Sequence, residues 1–310
     1  MEHYSKSYIS RSEVVVQPNS DFKQILSQKN PDKYQGEKYI GHGGMKQISK
    51  VIDKDTTRDV AIAVMINPDD KENSCRFIQE ARITARLEHP NIVPVHELGV
   101  DSEGKPYFTM KFLKGETLSE ILVNIKNKKN GYEKKYNLYK LLEIFRKICD
   151  AIAFAHSKGV LHLDLKPRNI QIGEFGEVLV LDWGLSKIMG GIDDMLVPEP
   201  ETLKAVEPIC SNSENITAVG IVTGTPGYMA PEQAQYKKHK DERTDIFSIG
   251  CILYSILTYE KPFDGEDANE IVRKTAKGIY LLPSKRCPHL HIPRSLSAVA
   301  MKAMSLNPSD

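Results

Sequence analysis

Apolar and polar residues alternate in short runs along the first third of the chain, which is the pattern of half-buried strands. Such runs occupy residues 48–52, 59–65, 93–100 and 107–113, and turn-forming residues separate them. Because these runs are short and rich in β-branched residues, they predict an antiparallel sheet. One segment differs: residues 76–87 carry apolar side chains at helical spacing and end before a proline, which predicts a helix among the strands.

The second half of the chain has the period of helices. Residues 138–158 repeat apolar residues every three or four positions and end in Lys-Gly, so they predict an amphipathic helix. Residues 245–258 are apolar nearly all round, which is typical of a central buried helix. A strand-rich first half and a helical second half predict an α+β protein with two lobes. Residues 1–36 are polar and weakly patterned, and we expect an extension there with one short helix at 21–27.

Composition and charge narrow the functional classes. Among 310 residues, 42 Lys and Arg balance 41 Asp and Glu, which leaves a net charge of +1. That balance argues against nucleic acid or an anionic membrane as the main partner. Apolar runs such as 251–257 are far shorter than the ~20 residues of a membrane-spanning helix, and the N-terminus lacks the apolar stretch of a secretory signal. Five cysteines without a paired motif fit a reducing cytosol, so we expect a cytoplasmic protein without a membrane segment.

Two stretches stand out by their charge. Residues 126–135 are rich in lysine and are interpreted as a solvated loop. Residues 188–222 hold six acidic residues and one lysine among Pro, Ser and Asn, and are interpreted as a mobile loop.

The strongest chemical signal lies at residues 161–169, where the sequence is Leu-His-Leu-Asp-Leu-Lys-Pro-Arg-Asn. Phosphoryl transfer needs a group that takes the proton of the attacking hydroxyl and oxygen ligands that hold Mg²⁺ on the phosphates. Asp164 suits the first task. Asn169 suits the second, as does Asp182, which begins an Asp-Trp-Gly triplet eighteen residues after Asp164. Lys166, between Asp164 and Asn169, suits the neutralisation of a transferring phosphate.

These motifs resemble a eukaryotic-type Ser/Thr protein kinase domain, most of all the bacterial ones, over about residues 37–310. The resemblance implies a bilobal protein kinase-like fold, with a β-rich N-lobe at about 37–112 and a mainly helical C-lobe at about 113–310. It also implies ATP and Mg²⁺ as cofactors and protein substrates, the chain itself among the candidates. The matching motifs stand in the family's order, namely glycine-rich loop (Gly41, Gly43), helix acid (Glu80), catalytic loop (Asp164, Asn169), metal triplet (Asp182), Ala-Pro-Glu (230–232) and Asp245.

The resemblance also places the nucleotide. The glycines would let the backbone close over the phosphates, and the adenine would lie against apolar residues and the segment that follows the fifth strand. The residues so assigned are Ile40, Gly41, Gly43, Gly44, Ile48, Ala61, Glu80, Met110, Lys111 and Leu113.

The chain departs from the family where its third strand should carry a lysine. That lysine pairs with the helix acid and clamps the nucleotide phosphates, but here the position holds Ala63. Three explanations stay open. The chain is a pseudokinase that serves as a nucleotide-binding scaffold or regulatory module, or Ala63 is an engineered inactivating change, or another cation does the work.

Lys46 is the candidate for that cation. It stands in the glycine-rich loop where the family usually has its third glycine. The with-no-lysine kinases are similar, since they lack the third-strand lysine and supply one from this loop position. By that resemblance Lys46 begins the second strand, meets Glu80 and stabilises phosphate together with Lys166; the alternative is an exposed loop charge. Lys50 and Lys111 are weaker candidates, the latter because its side chain should point away from the nucleotide.

Three further differences from the family concern the control of activity by phosphorylation and the length of the chain. Leu163 replaces the arginine that, in many kinases, binds a phosphate on the activation segment, so phosphorylation there should control activity only weakly. From Asp182 to Glu232 there are 51 residues, a long segment for this family. Besides a mobile loop, two alternatives stay open for its acidic insert at 188–222, namely a cover over the cleft and a carrier of phosphorylation sites (Thr202, Ser211, Ser213, Thr217 and Thr223). The family usually continues beyond residue 310 with an arginine that pairs with Glu232, so further sequence is expected there.

Overall fold

The structure is a computed structural model, and it describes residues 33–189, 224–237 and 239–309. The short helix expected at 21–27 lies outside the described residues, as does most of the acidic stretch at 188–222. The chain divides into two compact units. The first comprises the residues up to Gly159 together with Pro167–Ser186, and the second comprises Val160–Lys166 and the residues from Lys187 onward.

The first unit begins with five strands and one helix. They are β1 (Tyr34–His42), β2 (Lys46–Asp53), β3 (Arg58–Met65), α1 (Lys71–Arg86), β4 (Val95–Val100) and β5 (Pro106–Lys111). The strands form one antiparallel sheet in the order β1-β2-β3-β5-β4, and α1 packs against β4 and β5. Asp70 caps α1 by accepting a hydrogen bond from the backbone N–H of Asn73. The main core of this part contains Ala63, Met65, Phe77, Ile78, Ala81, Val100 and Phe108.

Three helices and three short strands complete the first unit. They are β6 (Gly115–Thr117), α2 (Leu118–Lys126), α3 (Tyr132–Lys135), α4 (Leu138–Ser157), β8 (Ile170–Gly173) and β9 (Val178–Val180). This unit extends past residue 112 because β6, β8 and β9 form one sheet and α4 packs against β9. The lysine-rich stretch is not a loop throughout, since Lys126 ends α2 and α3 is a helical turn, although its lysine side chains are exposed.

The second unit is mainly helical. Its elements are β7 (Val160–Leu161), β10 (Lys187–Ile188), α5 (Pro231–Ala234), α6 (Glu242–Thr258), α7 (Ala268–Ala276), α8 (Pro283–Arg286) and α9 (Arg294–Ala303). β10 pairs with β7, so Ile188 belongs to a strand and not to the loop predicted for it. α9 packs against α6 at Gly250, where a Cβ would come within 2.8 Å of Ala303 and Met304. The predicted α+β class is confirmed.

No helix within the described ranges combines the length and the apolar character that crossing a membrane requires.

Candidate active site

The predicted site residues fall into two groups, one in each unit. Lys46, Glu80, Asn169 and Asp182 belong to the first unit together with the glycine-rich loop, whereas Asp164 and Lys166 belong to the second.

Strand pairing sets the direction of the Lys46 side chain. Lys46 is the first residue of β2 and lies opposite Met65 of β3, while Ile48 lies opposite Ala63. Paired residues of antiparallel strands project to the same face, and successive residues alternate between faces. Lys46 is therefore the diagonal neighbour of Ala63 on one face of the sheet.

The ammonium of Lys46 lies between two carboxylates. Its Nζ donates one hydrogen bond to Asp182 Oδ1 at 2.9 Å and another to Glu80 Oε1. Glu80 projects from α1 and is 4% exposed, and Lys46 is 8% exposed. The alternative of an exposed loop charge does not describe this side chain, because Lys46 is buried and forms ion pairs with the buried Glu80 and with Asp182, whose side chain is 41% exposed.

Burial and the neighbouring charges shift the pKa values of Lys46 and Glu80 in opposite directions. Burial by itself lowers the pKa of Lys46, but the Asp182 and Glu80 carboxylates outweigh it, so this pKa lies above its ordinary value and the ammonium stays charged. Burial raises the pKa of Glu80, while Lys46 opposes that shift. When all three groups are ionised, the cluster keeps one net negative charge that a further cation would offset.

One carboxylate oxygen of this cluster, Glu80 Oε2, is buried and accepts no hydrogen bond from any residue that the structure describes. A Cβ at Gly184 would come within 3.1 Å of this oxygen, so a larger residue would displace the Glu80 carboxylate. Trp183, just before Gly184, is the one tryptophan of the chain and is 1% exposed.

The glycine-rich loop joins β1 to β2 in a tight hairpin. The N–H of Gly43 donates to the carbonyl of Lys46 at 2.8 Å. A Cβ at Gly41 would meet no atom within 4 Å, and one at Gly43 would meet only Lys46 atoms at 3.9 and 4.0 Å. Because internal packing does not require glycine at either position, the glycines leave the backbone open to a ligand, as phosphate binding by backbone N–H groups needs.

The residues predicted to contact adenine differ in their surroundings. Ile40, on the edge strand β1, is 50% exposed. Lys111 ends β5 with an exposed side chain, and Leu113 lies after it, outside the strands. Those that share the sheet face of Lys46 are Ile48, Ala61 and Met110.

The two predicted metal ligands are joined through the backbone. The N–H of Leu181 donates to the carbonyl of Asn169 at 2.8 Å, which brings Asp182 beside Asn169. An amide oxygen and a carboxylate oxygen, completed by water and phosphate oxygens, suit the octahedral shell of Mg²⁺, so this donor set fits the ion. Across the described residues, no three His, Cys, Asp or Glu side chains cluster as a metal site by themselves.

In the second unit, Asp164 is bonded to a lysine and a threonine. Asp164 Oδ2 accepts from Lys166 Nζ at 2.7 Å, and Oδ1 accepts from Thr225 Oγ1 at 2.7 Å. Lys166 Nζ also donates to Thr225 Oγ1 at 2.6 Å, which closes the triangle. Thr225 lies 61 residues from Asp164, in the Gly-Thr-Pro-Gly-Tyr stretch at 224–228, which by its sequence resembles the substrate-positioning loop of protein kinases.

Similarity to known proteins identifies the family of this chain. The family model of the protein kinase domain matches residues 34–305. The chain belongs to the protein kinase domain family. This kinase domain is 39% identical over 285 residues to the serine/threonine-protein kinase PknD of Protochlamydia amoebophila, an alignment that covers 89% of the chain and 28% of that protein.

Two further relatives carry the same name. The kinase domain is 37% identical over 286 residues to PknD of Chlamydia trachomatis, with 90% of the chain and 30% of the relative covered. It is 35% identical over 289 residues to PknD of Chlamydia pneumoniae, with 90% and 29% covered. The chain therefore spans about three tenths of the length of these curated relatives.

Asp245 holds the backbone of residues 161–169, the predicted catalytic loop, in this kinase domain. Its two carboxylate oxygens accept from the N–H groups of His162 and Leu163, each at 2.8 Å, and Asp245 is fully buried. Leu163 has φ 65°, in the left-handed region that leucine seldom adopts, and Gln233 Nε2 donates to its carbonyl at 2.8 Å. The Leu163 side chain is 4% exposed, so a buried apolar group stands where many kinases have arginine.

The acid of Ala-Pro-Glu, Glu232, also has a partner. Thr244 Oγ1 donates to Glu232 Oε1 at 2.6 Å. The start of α6 therefore holds both the predicted catalytic loop, through Asp245, and Glu232, through Thr244.

Asp245→Ala should lower the free energy of unfolding by about 3 kcal/mol, because two charge-assisted hydrogen bonds are lost and two buried N–H groups are left unsatisfied. Urea denaturation measures this loss. Asp241→Ala is the matched control: Asp241 caps the same helix, and its removal should cost about 1 kcal/mol. A loss for Asp245→Ala no larger than for the control would contradict the expectation.

Proposed function

We propose that this chain is a Ser/Thr protein kinase domain in which Lys46 replaces the lysine that the family carries at position 63. The observation that carries this proposal is the contact of the buried Lys46 ammonium with the buried Glu80 and with Asp182. An ammonium that Glu80 orients can offer its remaining donor capacity to phosphate oxygens, and a charge-assisted bond of this kind strengthens as negative charge develops.

The other residues take the roles that phosphoryl transfer requires. Asp164 accepts the proton of the substrate hydroxyl while the hydroxyl oxygen bonds to the γ-phosphorus of ATP and the bond from that phosphorus to ADP breaks. Lys166 and Lys46 stabilise the charge on the transferring group. The bond from the Thr225 hydroxyl supports this role, because it is the kind of hydrogen bond that a substrate hydroxyl would make with Asp164.

Bound Mg²⁺ would supply charge neutralisation on the phosphates. Asn169 and Asp182 would hold it, and both offer oxygen donors of the kind that the ion prefers. Gly41, Gly43 and Gly44 would present the loop backbone to the phosphates, with Ile40, Ile48, Ala61, Met110 and Leu113 around the adenine. The net negative charge of the Lys46 cluster favours a nearby cation.

The substrates in this proposal are protein hydroxyls, the chain's own among them. The near-neutral charge of the chain argues against nucleic acid as a partner, and the cysteine usage fits a cytoplasmic setting. The relatives' name, serine/threonine-protein kinase, agrees with this substrate class.

A catalytically silent scaffold is the second candidate function, and Ala63 is the observation that favours it. Ala63 is fully buried and packs in the hydrophobic core of the first unit, so this position contributes to the fold through packing and not through a charge. In this alternative the Lys46 cluster stabilises the fold, and nucleotide binding serves regulation.

A lysine restored at position 63 separates these possibilities. Phosphate transfer from Mg-ATP to the protein itself and to a generic basic protein is measured by intact mass for four proteins: the parent, Lys46→Ala, Ala63→Lys and the double variant. We expect transfer by the parent and a loss of about 100-fold in Lys46→Ala. The double variant should recover activity, because a lysine at 63 projects from the same face as Lys46.

A parent protein without activity would lead to a different conclusion. A parent that binds Mg-ATP and transfers no phosphate contradicts the relocated lysine. Activity that then arises in Ala63→Lys alone would indicate an engineered inactivation, and continued silence would indicate the scaffold.

A further inference from the structure

Most side chains of β1, the strand that leads into the glycine-rich loop, are exposed. Seven of the nine residues of β1 are exposed. Its ladder with β2 is also interrupted twice, between Gln35 and Lys38 and between Tyr39 and Gly41. An edge strand of this kind gains little from burial, so its position depends on hydrogen bonds: Glu37 near the middle of β1 accepts one from Ser49 Oγ at 2.7 Å, and a second set of contacts holds its start.

Hydrogen bonds connect the start of β1 to the strand at the opposite edge of the sheet. Lys33 Nζ donates to Glu97 Oε2 at 2.5 Å, and the hydroxyl of Tyr34 donates to the same oxygen at 3.2 Å. Tyr107 of β5 donates to Glu97 Oε1 at 2.8 Å. Glu97 belongs to β4, and β1 and β4 are the two edge strands of the five-stranded sheet. We call Lys33, Tyr34, Glu97 and Tyr107 the edge clasp.

The edge clasp is shielded enough from water to hold its geometry. The Lys33 and Glu97 side chains are 22% and 13% exposed. The Tyr34 ring meets the Tyr107 ring edge-on, with centroids 6.1 Å apart, so an aromatic contact supports the hydrogen bonds. Hydrogen bonds to an ionised carboxylate are stronger than neutral ones, which makes Glu97 the centre of the clasp.

We propose that the edge clasp positions the glycine-rich loop, with Glu97 as a positioning residue for the nucleotide. β1 spans roughly 30 Å from the clasp to His42 at its far end, so fixing Lys33 and Tyr34 limits where Gly41 and Gly43 can lie. This role rests on the proposed function, in which that loop covers the ATP phosphates. It differs from the role of Lys46, because no member of the clasp is among the residues proposed to bind the nucleotide.

The test removes one arm of the clasp at a time. Lys33→Met deletes the ammonium at the edge, Tyr34→Phe deletes one hydroxyl, and Glu97→Gln removes the central charge while keeping the side-chain shape. Glu103→Gln is the matched control, since Glu103 makes an exposed pair with Lys105 in the turn between β4 and β5. Amide hydrogen exchange of residues 34–46, the Kd of Mg-ADP by calorimetry, and kcat and KM for ATP are measured for each protein.

We expect Lys33→Met and Glu97→Gln to speed exchange in residues 34–46 about tenfold and to raise KM for ATP and the Kd of Mg-ADP about fivefold. kcat should stay within about twofold, because the groups that act on the phosphate are unchanged. Tyr34→Phe should show a smaller change of the same kind, and Glu103→Gln should match the parent.

Three results would overturn the proposal. One is unchanged exchange in residues 34–46, and another is unchanged Mg-ADP affinity with faster exchange. The third is a fall of kcat together with faster exchange over the whole chain, which would reveal a merely structural role. A parent that binds Mg-ADP but transfers no phosphate contradicts the proposed kinase activity, while exchange and affinity still decide the role of the clasp.

Discussion

Lys46→Ala is expected to lower phosphate transfer about 100-fold and the free energy of unfolding by about 3–5 kcal/mol. The first loss follows from removing a cation that stabilises the transferring group. The second follows because Glu80, 4% exposed, would keep a buried charge without its ammonium partner. Initial rates with Mg-ATP and urea denaturation measure the two effects.

Two comparisons separate catalysis from stability in this experiment. Lys50→Ala is the matched control, because Lys50 lies two positions after Ile48 on the same strand but pairs with Asp59 at the surface, where an ion pair contributes about 0–1 kcal/mol. The double variant Lys46→Ala with Glu80→Gln should regain stability, since no uncompensated carboxylate remains at position 80, and should stay inactive. Transfer by Lys46→Ala within threefold of the parent would show that Lys46 is not the replacement cation.

Asp164→Asn should lower phosphate transfer by about 10²–10⁴-fold while Mg-ADP still binds with nearly the parent's affinity. The amide keeps the size of the carboxylate but cannot accept the substrate proton as a base. Its nitrogen would also face the Lys166 ammonium or the Thr225 hydroxyl in place of an acceptor oxygen. Single-turnover transfer and calorimetry with Mg-ADP check the two parts.

Asp150→Asn provides the matched control for that experiment. Asp150 lies on α4 in an exposed pair with Arg146, so the same change of charge and shape there should leave transfer unchanged. Residual transfer above a tenth of the parent rate in Asp164→Asn would remove Asp164 from the role of base.

The helices could be predicted from apolar spacing, but the residues at which they begin could be predicted less accurately. The spacing at 138–158 matches α4, at Leu138–Ser157, almost residue for residue. The helix expected at 245–258 begins earlier, at Glu242, because Asp241 caps it and its first turn is polar. In the same way, β1 begins at Tyr34, where exposed polar residues hide the alternation by which strands are recognised.

Contacts between residues that are far apart in the sequence limit how much of the candidate site could be predicted. The resemblance to the with-no-lysine kinases predicts that Lys46 meets Glu80. For Asp182 the sequence predicts metal binding only, although Asp182 also accepts a hydrogen bond from Lys46 across 136 residues. The bonds from Thr225 to Asp164 and from Lys33 to Glu97 likewise depend on how distant strands and loops meet, which local periodicity does not encode.

The burial of Trp183 has a practical consequence. The chain has 13 tyrosines but one tryptophan, and that residue directly follows Asp182. Its indole is enclosed by protein, with 1% exposed, so intrinsic tryptophan fluorescence from this chain originates at a single shielded position beside a proposed Mg²⁺ ligand. Changes in emission wavelength or quenching on adding Mg-ADP would therefore report on that segment alone, without a label and without interference from a second indole.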